Sequence, residues 1–193
     1  MYEYADKIIK YLKSEIYEKF SKTKGVLTFD ELNVLNTYQK LYDDLLNLCI
    51  QMFLKAANKE YSKHIVEKKL PKTFITRLLS EYEPTTLYVF THEVTRKKSR
   101  SVESYIASGG DKKQVDAAFK YFAAMASWYV IVATDAARIE GFKDLGVKEV
   151  VWHTEDDAKV CPVCKKRDGK VYKIDNIPPK PHQNCRCWYE KKK

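Results

Sequence analysis

The 193-residue chain has little of the two residues that most often interrupt regular structure, with six glycines and six prolines. That excludes a collagen-like or linker-dominated polypeptide. Long apolar runs are also missing. The longest uncharged stretch, Tyr121 to Thr134, falls short of the roughly 18 to 20 residues a helix needs to cross a bilayer, so no membrane contact is expected. The first residues, Met1-Tyr2-Glu3-Tyr4-Ala5-Asp6, carry charge where a secretory leader would be apolar. The chain is therefore expected to be made in a reducing cytosol and to stay soluble. Cysteine is sparse as well. Of five, four lie between positions 161 and 187, and in a reducing compartment such crowding reads as metal binding before disulfides. No internal repeat is evident.

What is present supports a folded, helix-rich protein. Hydrophobic residues make up 45% of the chain, including 14 Tyr and 8 Phe, enough to build a core for one domain or one domain with a small appendage. The formal charge is +9, which favours polyanions such as nucleic acid or acidic protein. One dense basic cluster, Arg96-Lys97-Lys98-Ser99-Arg100, supplies the candidate nucleic-acid contacts Arg96, Lys97, Lys98 and Arg100. The same cluster also fits a solvated helix face or turn.

Residues 1–146 read as helical. A first helix is expected from about Tyr2 to Phe20, before Gly25 breaks the pattern. Thr28-Phe29-Asp30-Glu31 has the form of a capping box. The helix it opens carries Leu35, Tyr38, Tyr42, Leu45, Cys49, Met52 and Ala56 at alternating steps of three and four, which places them on one stripe. Unbroken to Lys69, it would be on the order of 60 Å long. Cys49 lies on that stripe and reads as a core residue. Pro71 and Pro84 bracket a short helix, and another is expected from about Thr86 to Ala107. Asp111 and Gln114 then cap a helix with the stripe Val115, Phe119, Phe122, Ala126, Tyr129, Ala133 and Ala136, widened by Ala118, Met125 and Val132 and closed by Gly141 and Gly146. Beyond Gly146 three strands are expected, around Val147–Trp152, Val171–Ile174 and Arg186–Tyr189, with Asp168-Gly169 as a hairpin-turn dipeptide. The fold class is α+β: an elongated helical body over 1–146 and a small β-rich, zinc-binding module over 147–193.

The metal expectation rests on spacing. Cys161-Pro-Val-Cys164 is followed, after seventeen residues, by His182-Gln-Asn-Cys185. Zinc takes four tetrahedral N or S ligands, commonly as two close pairs. A segment with few large aliphatics is marginal alone, and a structural zinc contributes on the order of 10 kcal/mol to such modules. Four protein ligands leave no open position, so one structural Zn2+ per chain is expected. Cys187 is either an alternative ligand in place of Cys185 or a buried thiol behind the knuckle.

Three other chemistries share these letters. A zinc deaminase carries H-x-E and, later, P-C-x-x-C; His153-Thr-Glu155 is present, but only five residues separate it from Cys161, and the proline lies inside the Cys pair. A redox C-P-x-C needs a βαβ context that the surrounding sequence does not show. His153 with Asp156 or Asp157 would be an acid/base site only if placed together in a cleft.

The tail also resembles a family. Trp152-x-Thr154-x-x-Asp157-x-Lys159-Val160-Cys161-x-x-Cys164, then Asp168-Gly169-Lys170-Val171-Tyr172, then Pro178-Pro179-x-Pro181-His182-x-Asn184-Cys185-Arg186-Cys187 is similar to the phage Mu F-like minor head proteins, also called head morphogenesis proteins. The likeness covers about residues 138–190, and no motif is recognisable upstream. It implies a virion protein of the capsid interior, bound to portal and other capsid proteins, able to form an oligomer on the portal, and assisting head assembly and the packaging or delivery of DNA. Some members carry C-terminal toxin or enzyme domains. This sequence stops at Lys193, soon after the motif, so no enzyme activity is expected. The alternative is a nucleic-acid-binding zinc protein of a mobile element, acting outside virions.

Overall fold

The computed structural model describes residues 2–14, 31–66, 68–78, 112–155, 157–182 and 185–192. Its elements in chain order are α1 (Tyr2–Lys13), α2 (Glu31–His64), α3 (Lys112–Asp144), β1 (Glu149–His153), α4 (Pro162–Arg167), β2 (Val171–Lys173) and β3 (Trp188–Lys191). A further short helical turn covers residues 72–78. The expected capping box at Thr28, the end of the first helix, the helix over 86–107 and the basic cluster Arg96, Lys97, Lys98 and Arg100 lie outside the described residues.

The long helix is present, and the described part of its stripe is where the spacing puts it. Cys49, Met52 and Ala56 are all buried, joined by Phe53, Ala57 and Tyr61. Burial pushes the Cys49 thiol up to about 12, as befits a packed, unreactive sulfur. The helix stops at His64 rather than reaching Lys69. Leu70 is buried and precedes Pro71, a position biased away from helical backbone. The carbonyl of Pro71 then accepts from the Ile75 N–H at 3.0 Å, opening the short turn.

Helix α3 likewise buries Val115, Ala118, Phe119, Tyr129 and Ala133. Further along, the buried position is Ala137 rather than the expected Ala136, because a true 3.6-residue period drifts from a strict three-four count. Gly141 does not close the helix. It lies within it, buried, where a Cβ would come 3.2 Å from His64 Cβ, so a glycine lets α2 and α3 approach there. Gly146 does close it. Its φ of 74°, with Gly146 N–H to Lys143 O at 2.8 Å and Val147 N–H to Phe142 O at 3.0 Å, makes a Schellman cap.

The chain divides into two compact units. One comprises residues 1–52 and 77–129, the other residues 53–76 and 130–193. The sheet module therefore shares a unit with the last turns of α2 and α3. Within it, Glu60 is buried and receives Arg138 Nε and Lys63 Nζ, each at 2.6 Å, with His64 Nε2 at 3.4 Å. Burial alone would push this carboxyl up; the hydrogen bonds and charges of Lys63 and Arg138 outweigh it and hold it at about 2. Tyr61 donates to Asp144 across the same helix pair. Asp135 of α3, 14% exposed, pairs with Lys180 at 2.5 Å and ties the proline-rich loop to the helix.

The sheet is antiparallel with order β2-β1-β3. Val150 pairs with Tyr172 and Lys191, and Trp152 with Tyr189. Alternation puts Val150 and Trp152 on the buried face and Val151 and His153 on the other. Trp152 is the module's largest fully buried side chain. Tyr189 and Tyr172 meet it edge-on at 5.2 and 6.3 Å, and the Arg167 guanidinium lies 4.9 Å over its ring. Asp168-Gly169 is a turn, as its letters imply, but it does not join two strands directly. It ends α4 and returns the chain to β2, with Gly169 at φ 70° and its N–H on the Trp152 carbonyl at 2.8 Å.

Candidate metal centre

The connection from β1 to β2 folds back on itself to form a knuckle. Cys161 precedes α4 with extended backbone, and its sulfur accepts from the Cys164 N–H at 3.3 Å. Pro162, which has no N–H to leave unsatisfied, occupies the first turn. The Lys165 N–H closes the turn on the Cys161 carbonyl at 2.9 Å. Two residues between the cysteines therefore suffice to aim both sulfurs the same way. Asp168 holds the far end, capping α4 through its N–H to Cys164 O at 3.1 Å and receiving the Thr154 N–H at 2.9 Å.

The second half of the site is the run into β3. Cys185 and Cys187 are both buried there, with exposed Arg186 between them. Arg186 reaches back to Asp157 at 2.7 Å, and Asp157 also accepts from the Lys159 N–H at 2.8 Å. Arg167 donates to the Pro179 carbonyl at 2.8 Å. These links join the two halves across the loop. Sequence reasoning had not singled out Arg167, Arg186 or Asp157 for this role; Asp157 and Arg186 stand in the tail motif, whereas Arg167 carried no signal.

Among the described residues, two donor clusters form. Cys161, Cys164 and His182 place one ligand atom each within 4.8 Å of one another, and so do Cys164, Cys185 and Cys187. Cys164 belongs to both, and its sulfur is 3.5 Å from that of Cys185. That is far beyond a disulfide bond, and all five cysteines are free thiols. The four residues expected from spacing are thus brought together through Cys164, and Cys187 comes with them. The Cys161 thiol is held at about 7, first by the Cys164 backbone N–H and also by His182, against the effect of burial. Cys164 is shifted upward by burial and by its three thiol neighbours.

The arrangement suits a metal ion. A space of about 30 Å³ lies among the five donors, with Lys159 and Arg186 on its wall. That is room for one ion and no organic ligand. The Trp152 indole N–H is buried without a hydrogen-bond partner among the described residues and faces Cys187; a thiolate there would accept it. His153, weighed above as an acid or base, is engaged elsewhere. It stacks on Trp188 at 5.7 Å and meets Glu190 at 3.4 Å.

A family model, Phage Mu protein F like protein, matches residues 59–190, more than half of the chain. The chain belongs to the phage Mu protein F-like family. Membership places it in phage head morphogenesis. The match begins in the last turns of α2 and ends in β3, so it reaches about eighty residues further upstream than the tail motif alone. No curated protein and no solved structure matches the chain significantly. No helix of the described residues is long and apolar enough to cross a membrane.

Proposed function

We propose that this Mu F-like protein is a structural minor head protein of a tailed phage or prophage, and that it acts in the capsid interior in contact with the portal. The observation that carries the reading is the family match over residues 59–190. On this reading its partners are the portal and other capsid proteins, with an oligomer forming on the portal, and it assists head assembly and the packaging or delivery of DNA. The net charge of +9 fits proximity to packaged DNA, and Arg96, Lys97, Lys98 and Arg100 are the candidate contacts.

The cysteine cluster holds one structural zinc in this proposal. Thiolates with imidazole suit zinc better than magnesium or calcium. Four protein ligands leave no position for substrate or water, so the site supports no catalysis and the protein is not an enzyme. When bound, the ion supplies a cross-link between α4 and the run into β3. Asp157, Arg186 and Arg167 hold the ligand-bearing loops in register around it.

Purified virions and procapsids test the function. Mass spectrometry should find the chain in both at low copy, and it should co-purify with the portal ring. Virions that lack it altogether, from a host that expresses it, would favour a nucleic-acid-binding role outside the particle.

A further inference from the structure

Zinc takes four ligands in a structural site, and five donors surround the space. One of them is spare. We propose that the zinc is bound by the four thiolates of Cys161, Cys164, Cys185 and Cys187, and that His182 stands outside the ligand set as a hydrogen-bond partner of the Cys161 sulfur. This rests on the zinc reading above and names its ligands.

Three observations separate Cys187 from His182. Cys164, Cys185 and Cys187 form a cluster in which every member is buried, whereas the equally close cluster of Cys161, Cys164 and His182 ends in an exposed imidazole. A ligand set shielded from water holds its ion more firmly, and an exposed imidazole loses nothing by staying solvated. The second observation is the Trp152 indole N–H, fully buried and without a partner. Left so, it is a net cost to the fold. A neutral thiol is a poor acceptor, but a metal-bound thiolate at Cys187, which it faces, is a good one. With Cys187 as the spare thiol, the donor stays orphaned at the centre of the module.

The third observation is charge. Zinc with four thiolates carries a net −2 and needs donors and cations around it. The Cys164 N–H reaches the Cys161 sulfur at 3.3 Å, His182 contacts the same sulfur, and Lys159 and Arg186 line the space against a single carboxylate, Glu155. The spacing also permits it. In the run that leads into β3, Cys185 and Cys187 are two residues apart, so both side chains share a face, and both are buried.

X-ray absorption at the zinc edge on the full-length protein, purified without added metal, decides the matter. The expected spectrum fits four sulfurs at about 2.3 Å and no nitrogen. His182→Ala should keep about one zinc per chain and leave the cobalt-substituted absorption spectrum unchanged. Cys187→Ser should lower the sulfur-to-cobalt charge-transfer band by about a quarter, one thiolate of four. Three sulfurs with one nitrogen at about 2.0 Å, together with a shifted cobalt spectrum in His182→Ala, would overturn this assignment and leave the zinc reading standing. A chain that binds no zinc at all would overturn both.

Discussion

Removing the Arg138 side chain should expose how the helix pair under the sheet is held. Glu60 is only 4% exposed, and its two short partners are Arg138 on α3 and Lys63 on its own helix. Lys63 is 57% exposed, so Arg138 is the partner that lies with Glu60 inside the unit. Breaking a buried ion pair from one side costs about 3–5 kcal/mol. Because Lys63 and His64 remain, Arg138→Met should cost less than that, about 2–3 kcal/mol at pH 7. The pH dependence provides an independent check. The Glu60 carboxyl falls from 4.5 to about 2 on folding, equivalent to about 3 kcal/mol at about 1.4 kcal/mol per pH unit. A depressed carboxyl stabilises the fold above about pH 4.5 and loses that contribution as pH falls toward 2. In Arg138→Met only Lys63 is left to oppose burial, so part of this contribution is lost. Urea unfolding of both proteins, followed by far-UV circular dichroism from pH 7 to pH 3, should therefore show a stability difference that shrinks with acidification. Taking the difference cancels acid release of metal, which is common to both. Glu60→Gln/Arg138→Met should recover part of the loss. A difference below about 0.5 kcal/mol at neutral pH, or one that widens in acid, would refute the reasoning.

Other perturbations test other joints. Lys180→Met strands the largely buried Asp135 carboxylate and should cost about 2–3 kcal/mol at pH 8. Burial already holds Asp135 upward against Lys180, so the variant, whose carboxyl rises further, should lose less at pH 5 than at pH 8 in the same unfolding assay. Gly146→Ala meets no atom within 4 Å but forces a side chain to φ 74°; thermal unfolding should register about 1 kcal/mol of backbone cost. Gly141→Val should be worse, by about 2–3 kcal/mol, because even a Cβ there crowds His64. Asp157→Ala frees Arg186 from the knuckle and should weaken zinc retention about tenfold against a competing chelator, with the far-UV spectrum unchanged.

The turn at Cys161–Cys164 and the strands were legible because their signals are local. Cys161-Pro-Val-Cys164 fixes its own turn through one N–H to sulfur bond and a proline, and β1 announces itself by Val150-Val151-Trp152. The stripe through Cys49, Met52 and Ala56 was legible for the same reason, as periodicity within one helix. What escaped was non-local. Glu60 and Arg138 are 78 residues apart, and Asp135 and Lys180 belong to different elements. Each looks like an ordinary solvated charge until the chain is folded. The boundary expected at Gly146 marks a change of secondary structure, yet the compact unit around the sheet also takes in residues 53–76 and 130–146. Composition shifts where helices end, whereas compactness follows which helix turns pack beneath the sheet. Cys187 remained open between ligand and buried thiol because spacing alone treats Cys185 and Cys187 alike. The buried indole N–H of Trp152, which faces Cys187, exists only in the folded chain.

The central claim is that one zinc ion clamps the loops of this sheet. Metal analysis of the full chain purified without added metal, combined with chelation followed by Trp fluorescence and far-UV circular dichroism, tests it most directly. The account predicts about one zinc per chain, and its removal should expose Trp152 while most helical signal from α2 and α3 persists. A metal-free protein in which Trp152 stays buried and the sheet keeps its stability would contradict it.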